Sequence, residues 1–275
     1  MTHTLDQAHT LRSIIERSQF EPLRPAGPAV VGLCGGKGGV GTTTVAMRLA
    51  QALVRDGRRT VLIDLDSDSS SPTRNGTWQN TPLGEILASR SSIHESLERG
   101  PGGVLFLPNQ GNQFTGFDTL AAQRFRAMIG ELDKFADLVL VDLGRGATRR
   151  ASELAKQTAL TLTVTSPDDL AVMESYSMLK RWQQNACRPR LASVINRVTS
   201  EAQAHGVHKR LQRACWRFLG LRLEAAGQLV ENARLATGQR WQDQALEPST
   251  ALAPSGELDS LVEYVVAAAL PAAAR

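Results

Sequence analysis

The run Gly35-Gly36-Lys37-Gly38-Gly39-Val40-Gly41-Thr42-Thr43-Thr44 has the composition needed to hold a phosphate group. Glycines let a backbone curl until successive N–H groups face one point, and an anion is what such a nest of donors binds. A helix starting immediately afterwards adds unpaired first-turn amides and the positive end of its dipole. In this reading Gly36, Gly38, Gly39, Val40, Gly41, Thr42 and Thr44 form the cradle, while the Thr43 hydroxyl stands where a Mg²⁺ ligand is needed. The spacing matches Gly-x-x-x-x-Gly-Lys-[Ser/Thr] except at one position, where Thr42 replaces the lysine. A charged contact to phosphate is worth about 1.5–3 kcal/mol, so its loss predicts binding weaker by at least about tenfold. Turnover should fall further, because phosphoryl transfer depends chiefly on positioned charge.

Carboxylates follow at two strand ends. Asp64 and Asp66 close the stretch Val61-Leu62-Ile63-Asp64-Leu65-Asp66, and side chains two apart in a strand point to one side. Asp142 ends the apolar run Leu138–Val141 and opens Asp142-Leu143-Gly144-Arg145-Gly146. Asp68 has the context of an ordinary loop acid. An aspartate after a strand is by itself as good a helix cap. A phosphate loop followed by two such strand ends, in this order, favours a metal and phosphate site.

The elements that must position these groups can be read from hydrophobic periodicity. A polar, helical start over Leu5–Arg17 leads into Glu21–Pro28, whose three prolines and one glycine predict an extended linker. Residues 1–28 are therefore expected to be an extension, and residues 29–275 a single nucleotide-binding domain. Apolar runs predict strands at Ala29–Cys34, Thr60–Asp64, Val104–Leu107, Leu138–Asp142, Leu160–Thr165 and Leu191–Ile195. Helical spacing appears at Thr43–Arg55, Leu120–Leu132 and Leu170–Trp182. Alternation of this kind gives an α/β fold with a mostly parallel sheet and helices on both faces. Ligands in such sheets bind at the carboxyl ends of the strands.

Composition narrows the classes further. With 42% hydrophobic, 21% charged and 5% aromatic residues in 275, the chain has the balance of a globular protein with an aliphatic core. The net charge of +4 comes from 31 basic and 27 acidic residues that are interspersed, so nucleic-acid binding is allowed but not favoured. Cys34, Cys187 and Cys215 lack metal-ligand spacing and read as reduced core thiols of a cytosolic protein. The five histidines show no relay or metal spacing. The first thirty residues carry Asp6, Glu16 and Glu21 and no apolar run, unlike a secretory signal. No stretch of 18 apolar residues predicts a membrane span.

The loop resembles the deviant Walker A motif of the MinD/ParA family, Lys-Gly-Gly-x-Gly-Lys-[Ser/Thr], with Lys37 at its signature lysine. The resemblance implies ATP or ADP with Mg²⁺, and a nucleotide-linked homodimer in which Lys37 reaches the partner's phosphates. It further implies that Asp66, in the family's switch I Asp-x-Asp, positions the attacking water. Asp64 would then lie behind the Mg²⁺ shell, and Asp142, in the switch II pattern Asp-x-Gly-x-Gly, would contact Mg²⁺ through water. Asn196, in Val194-Ile195-Asn196-Arg197, matches the family's adenine-reading asparagine. Ser166-Pro167-Asp168 and Tyr176 match stations assigned to scaffold and interface.

The opening Asp6-Gln7-Ala8-His9-Thr10-Leu11-Arg12 is similar to the element with which the FlhG (FleN) branch activates the GTPase FlhF. Leu5, Ala8, Leu11 and Ile15 share one helical face, so Asp6, Gln7, Ala8, Leu11 and Arg12 are the expected partner contacts. Leu83–Leu107 and Ala192–Leu223 also look like that branch. The implied function is regulation of the number or placement of bacterial flagella, in the cytoplasm with recruitment to the cell pole. The Thr42 loop also looks like the TadZ/CpaE branch, which localises pilus assembly, and a ParA-like DNA-partitioning ATPase is a further alternative. The branch's basic C-terminal membrane helix has no counterpart: Ser255–Leu270 carries Glu257, Asp259 and Glu263 and no lysine or arginine. That helix is expected to pack on the domain rather than on anionic lipid.

Overall fold

Alternating apolar side chains along each strand build an eight-stranded sheet in the computed structural model of the chain, which describes residues 27–66, 83–88, 91–108, 118–187, 189–231 and 256–270. The chain runs through β1 (Ala29–Gly35), α1 (Thr42–Arg55), β2 (Thr60–Asp64), α2 (Leu83–Leu87), α3 (Ile93–Ser96) and β3 (Glu98–Arg99). A 3₁₀ turn at Pro101–Gly103 leads to β4 (Leu105–Leu107), α4 (Thr119–Glu131), β5 (Leu138–Arg145), α5 (Arg149–Ala155), β6 (Leu160–Thr165) and α6 (Asp169–Gln184). Then come β7 (Leu191–Val198), α7 (Glu201–Ala214) with a π turn at Cys215–Leu219, β8 (Glu224–Val230) and α8 (Gly256–Ala269). The expected helix at Leu5–Arg17, with Asp6, Gln7, Ala8, Leu11 and Arg12, lies outside the described residues, as do the Pro-rich segment up to residue 26 and Asp68.

The sheet order is β3-β4-β2-β5-β1-β6-β7-β8, parallel at every pairing except β3 with β4. Each expected strand is present within a few residues of its bounds. The short antiparallel β3, the helix α5 and the edge strand β8 were not expected. β8 is half exposed along Glu224–Val230, so its sequence lacks the continuous apolar run that marks the central strands.

Two apolar layers cover the sheet. Val31, Leu33, Leu62, Leu140, Leu162 and Val194 pack with α1 and α8, while Val30, Val61, Ile63, Val139 and Val141 pack with α4, α6 and α7. The residues alternate between the layers because strand side chains have a period of two. As expected from its acidic polar face, α8 seals one layer with Leu258, Leu261, Val262 and Val265 buried. Its Asp259 pairs with Arg55 of α1 at 2.9 Å, and Glu257 accepts the Val230 N–H at 3.0 Å.

Helix starts follow local side-chain chemistry. Asp118, Thr148, Asp168 and Ser200 each accept the N–H of the residue three positions on, capping α4, α5, α6 and α7. In contrast, α1 begins behind Gly41, at φ 89° in the left-handed region, with no side-chain cap and no acid in its first turn. Its leading amides are thus left for an external anion.

Helix α6 clamps the loops after β1 and β5. A Cβ at Gly36 would collide with the backbone of Ser175, and one at Gly146 with the Met178 sulfur. Trp182 Nε1 donates to the Gly146 carbonyl at 2.6 Å, and the Gly146 N–H donates to Gly35 O at 3.0 Å. Because both crossings are against packed atoms, Gly36→Ala is expected to cost about 1–3 kcal/mol in chemical denaturation. Gly206, in exposed helix α7 with open space at its Cβ position, gives the opposite sign: Gly206→Ala should gain about 0.5–1 kcal/mol.

Candidate functional site

The loop between β1 and α1 meets the carboxyl ends of β2, β5, β6 and β7. Val40 is buried, and its carbonyl accepts a hydrogen bond from Asn196 Nδ2 at 2.8 Å. A Cβ on Gly41 would approach the same nitrogen to 2.5 Å. Asn196, the expected adenine reader, therefore ties the end of β7 to the phosphate loop. With one N–H committed there, a purine contact falls to its carbonyl oxygen or its remaining N–H.

Thr42 is buried, and its hydroxyl turns back over Gly35, 2.7 Å from where a Cβ there would sit. No charge stands at the lysine position of the loop. Lys37 is held on its own molecule, with Nζ 3.0 Å from Asp168 Oδ1. Asp168 Oδ2 accepts from Ser166 Oγ at 2.5 Å, and Oδ1 also accepts the Ala171 N–H at 2.9 Å. The Ser166 hydroxyl foremost, and then Lys37, bring the Asp168 carboxyl down to about 2. Asp168, expected as part of the scaffold and interface, is thus the direct partner of Lys37. Both side chains are well exposed, so the pair orients Lys37 without fixing it strongly.

Parallel register sets the carboxylates. Asp64 lies opposite Asp142, and the Leu65 N–H donates to Asp142 O at 2.8 Å. Asp64 Oδ1 accepts the Asp66 N–H at 2.9 Å, and Asp142 Oδ1 accepts the Gly144 N–H at 2.9 Å. Asp64 and Asp142 are both buried. Burial, and after it the charge of Asp64, push the Asp142 carboxyl far above the usual carboxylate range, while the Thr43 hydroxyl and the Gly144 N–H oppose this. Asp142 Oδ2 is buried yet makes no hydrogen bond of normal length.

A buried oxygen without a partner, beside a second acid and a threonine hydroxyl, fits a hard divalent cation. Thr43, Asp64 and Asp142 are the residues that would hold Mg²⁺. The described residues contain no group of three His, Cys, Asp or Glu side chains suited to a metal, so water and phosphate oxygens would have to complete the shell of such an ion. Asp66 packs against the Cα of Gly144, at φ 58°, so tightly that a Cβ there would overlap its carboxylate. Arg150 donates to the Leu65 carbonyl, tying the start of α5 to the same corner.

The guanidinium of Arg145 lies against Gly38, where a Cβ would come within 2.9 Å of Nε and of Nη2. Sequence reading gave Arg145 no role. The signal that points to it is the missing lysine itself, which raises the question of where a replacement cation stands.

Other reactive side chains are structural. All three cysteines are buried and free; burial pushes Cys34 far up, Cys187 to about 12 and Cys215 to about 11. His208 shares a 2.7 Å hydrogen bond with Ser193 Oγ, and burial lowers its pKa. No helix among the described residues is long and apolar enough to cross a membrane.

Comparison with known proteins agrees with this fold. Antiactivator FleN of Pseudomonas aeruginosa is 25% identical over 203 residues, covering 72% of each chain. The MinC:MinD cell division protein complex of Aquifex aeolicus superposes with a TM-score of 0.66 at 17% identity, covering 86% of this chain and 95% of the other. MinD complexed with Mg-ADP from Pyrococcus horikoshii gives a TM-score of 0.62 at 19% identity, covering 86% of this chain and 96% of that one. Residues 31–236 match the family model described as the CobQ/CobB/MinD/ParA nucleotide binding domain. With a phosphate loop before an uncapped helix and two facing aspartates beside it, the chain belongs to the CobQ/CobB/MinD/ParA nucleotide-binding family.

Proposed function

We propose that this chain is an ATP- and Mg²⁺-binding switch with slow or no hydrolysis, which regulates the number or placement of bacterial flagella by acting on an FlhF-type GTPase. The observation that carries the reading is Thr42, buried at the lysine position of an otherwise assembled phosphate and metal site. The loop amides and the first turn of α1 bind phosphate oxygens. Thr43, Asp64 and Asp142 would hold Mg²⁺, which would supply neutralisation of phosphate charge. Asp66 and Gly144 touch, so a change at one strand end is felt at the other. Lys37 exchanges Asp168 for a partner's phosphate when two nucleotide-loaded copies meet.

The flagellar part of the reading is supported by the similarity to FleN and by the heptapeptide Asp6–Arg12. We place the protein in the cytoplasm, acting at the cell pole through its N-terminal segment. The apolar residues of α8 are buried on the domain, which gives no support to a membrane-bound form.

Titration calorimetry with Mg-ATP should show binding that Thr42→Lys tightens by about tenfold or more, with hydrolysis rising in the same variant. Rapid turnover by the native protein, abolished in Asp66→Ala, would defeat the slow-hydrolysis reading. Asp142→Asn keeps an acceptor for the Gly144 N–H and removes a buried charge beside Asp64. At pH 8 it should stabilise the ligand-free protein by about 1 kcal/mol or more while removing the Mg²⁺ dependence of nucleotide binding. Deleting residues 1–17 should abolish stimulation of an FlhF-type GTPase and leave the thermal midpoint unchanged; undiminished stimulation would sink the flagellar assignment.

A further inference from the structure

We infer that Arg145 is a phosphate-binding residue of this protein, supplying from the end of β5 the positive charge that Thr42 cannot supply from the loop. The inference rests on the nucleotide-binding reading above. Arg145 is the last residue of β5, and its Cα is in register with Gly35, where the phosphate loop begins. From there its side chain reaches over the loop, so that a Cβ at Gly38 would lie 2.9 Å from both Nε and Nη2 and 3.1 Å from Cζ. Gly38 carries no side chain to separate the guanidinium from the loop backbone.

Arg145 is exposed at the mouth of the site, whereas Asp142 of the same strand is buried beneath it. One strand end therefore presents both the acid that fits a metal and a cation on the phosphate side. Lys37, which is rooted in the loop itself, bonds Asp168. Guanidinium suits the task because its planar fork can donate two parallel hydrogen bonds to phosphate oxygens and stays charged at any working pH. Gly144 and Gly146 flank Arg145 and let the segment adjust by the small distance that separates resting on the loop from gripping what the loop holds. A lysine rooted in the loop would be fixed in place, whereas an arginine rooted in the segment after β5 links phosphate occupancy directly to the position of that segment.

The test compares Mg-ATP binding to the native chain, Arg145→Ala, Arg145→Lys, Thr42→Lys and the double variant Thr42→Lys/Arg145→Ala. Arg145→Ala should weaken Mg-ATP by about tenfold or more, and Arg145→Lys should recover part of the loss. Thr42→Lys should restore the affinity of the alanine variant to within about threefold of native, because it returns a cation to the same phosphates from the loop side. A merely structural arginine predicts a loss that Thr42→Lys cannot rescue, and that result would overturn the inference, as would Arg145→Ala binding within about twofold of native. Native protein that binds no Mg-ATP overturns the nucleotide reading together with this inference, whereas native binding unaffected by Arg145→Ala overturns this inference alone.

Discussion

The parallel pairing of β5 with β1 on one side and β2 on the other fixes where every charged group of the site can stand. Register puts Asp64 opposite Asp142, and a shift of register between Leu33 and Gly35 brings Arg145 opposite the first glycine of the phosphate loop. Parallel strands also end on the same edge of the sheet, so the loops after β1, β5, β6 and β7 are gathered there without any direct attraction between them. Two apolar layers hold the strands in that register, because a slip of one residue would turn every buried side chain to the wrong face. The site is therefore only as well defined as the aliphatic packing beneath it.

Its electrostatics are unbalanced in a way that suits ligand control. Asp64 and Asp142 are buried side by side, and the outer oxygen of Asp142 makes no hydrogen bond. The lysine position of the loop, which holds a neutral threonine, offers no charge to offset them. Of the two nearby cations, Lys37 is engaged by Asp168 and Arg145 lies over Gly38. A buried pair of acids is costly, and the arrival of a cation would offset their repulsion. The contacts that would report this arrival are already in place: Asp66 against Gly144, and α6 clasping Gly36 and Gly146.

Loss of the loop lysine and retention of Lys37 affect different events. On the proposed reading, a cation in the loop would act on phosphates of its own molecule, during binding and phosphoryl transfer. A lysine held at the rim by an exposed ion pair is free to exchange partners at small energetic cost.

Much of this was legible in the sequence. The alternation of apolar runs with helical periods determined an α/β fold, and the glycine spacing around Lys37 with aspartates at two strand ends pointed to a nucleotide-binding family, because these depend on local geometry and on side-chain period. The acidic, arginine-free Ser255–Leu270 likewise determined that α8 packs on its own domain. What only the tertiary structure decided are the contacts between elements distant in sequence. Asn196 bonds the loop carbonyl of Val40, Asp168 captures Lys37, and Arg145 comes to rest on Gly38. None of these has a local signature, because each depends on which strands lie side by side and in what register. The edge strand β8 escaped notice for a related reason: half its surface meets water, so the apolar run that marks a central strand is absent. The missing lysine was visible in the sequence alone, but the arginine placed to answer it became apparent only once β5 was seen beside β1.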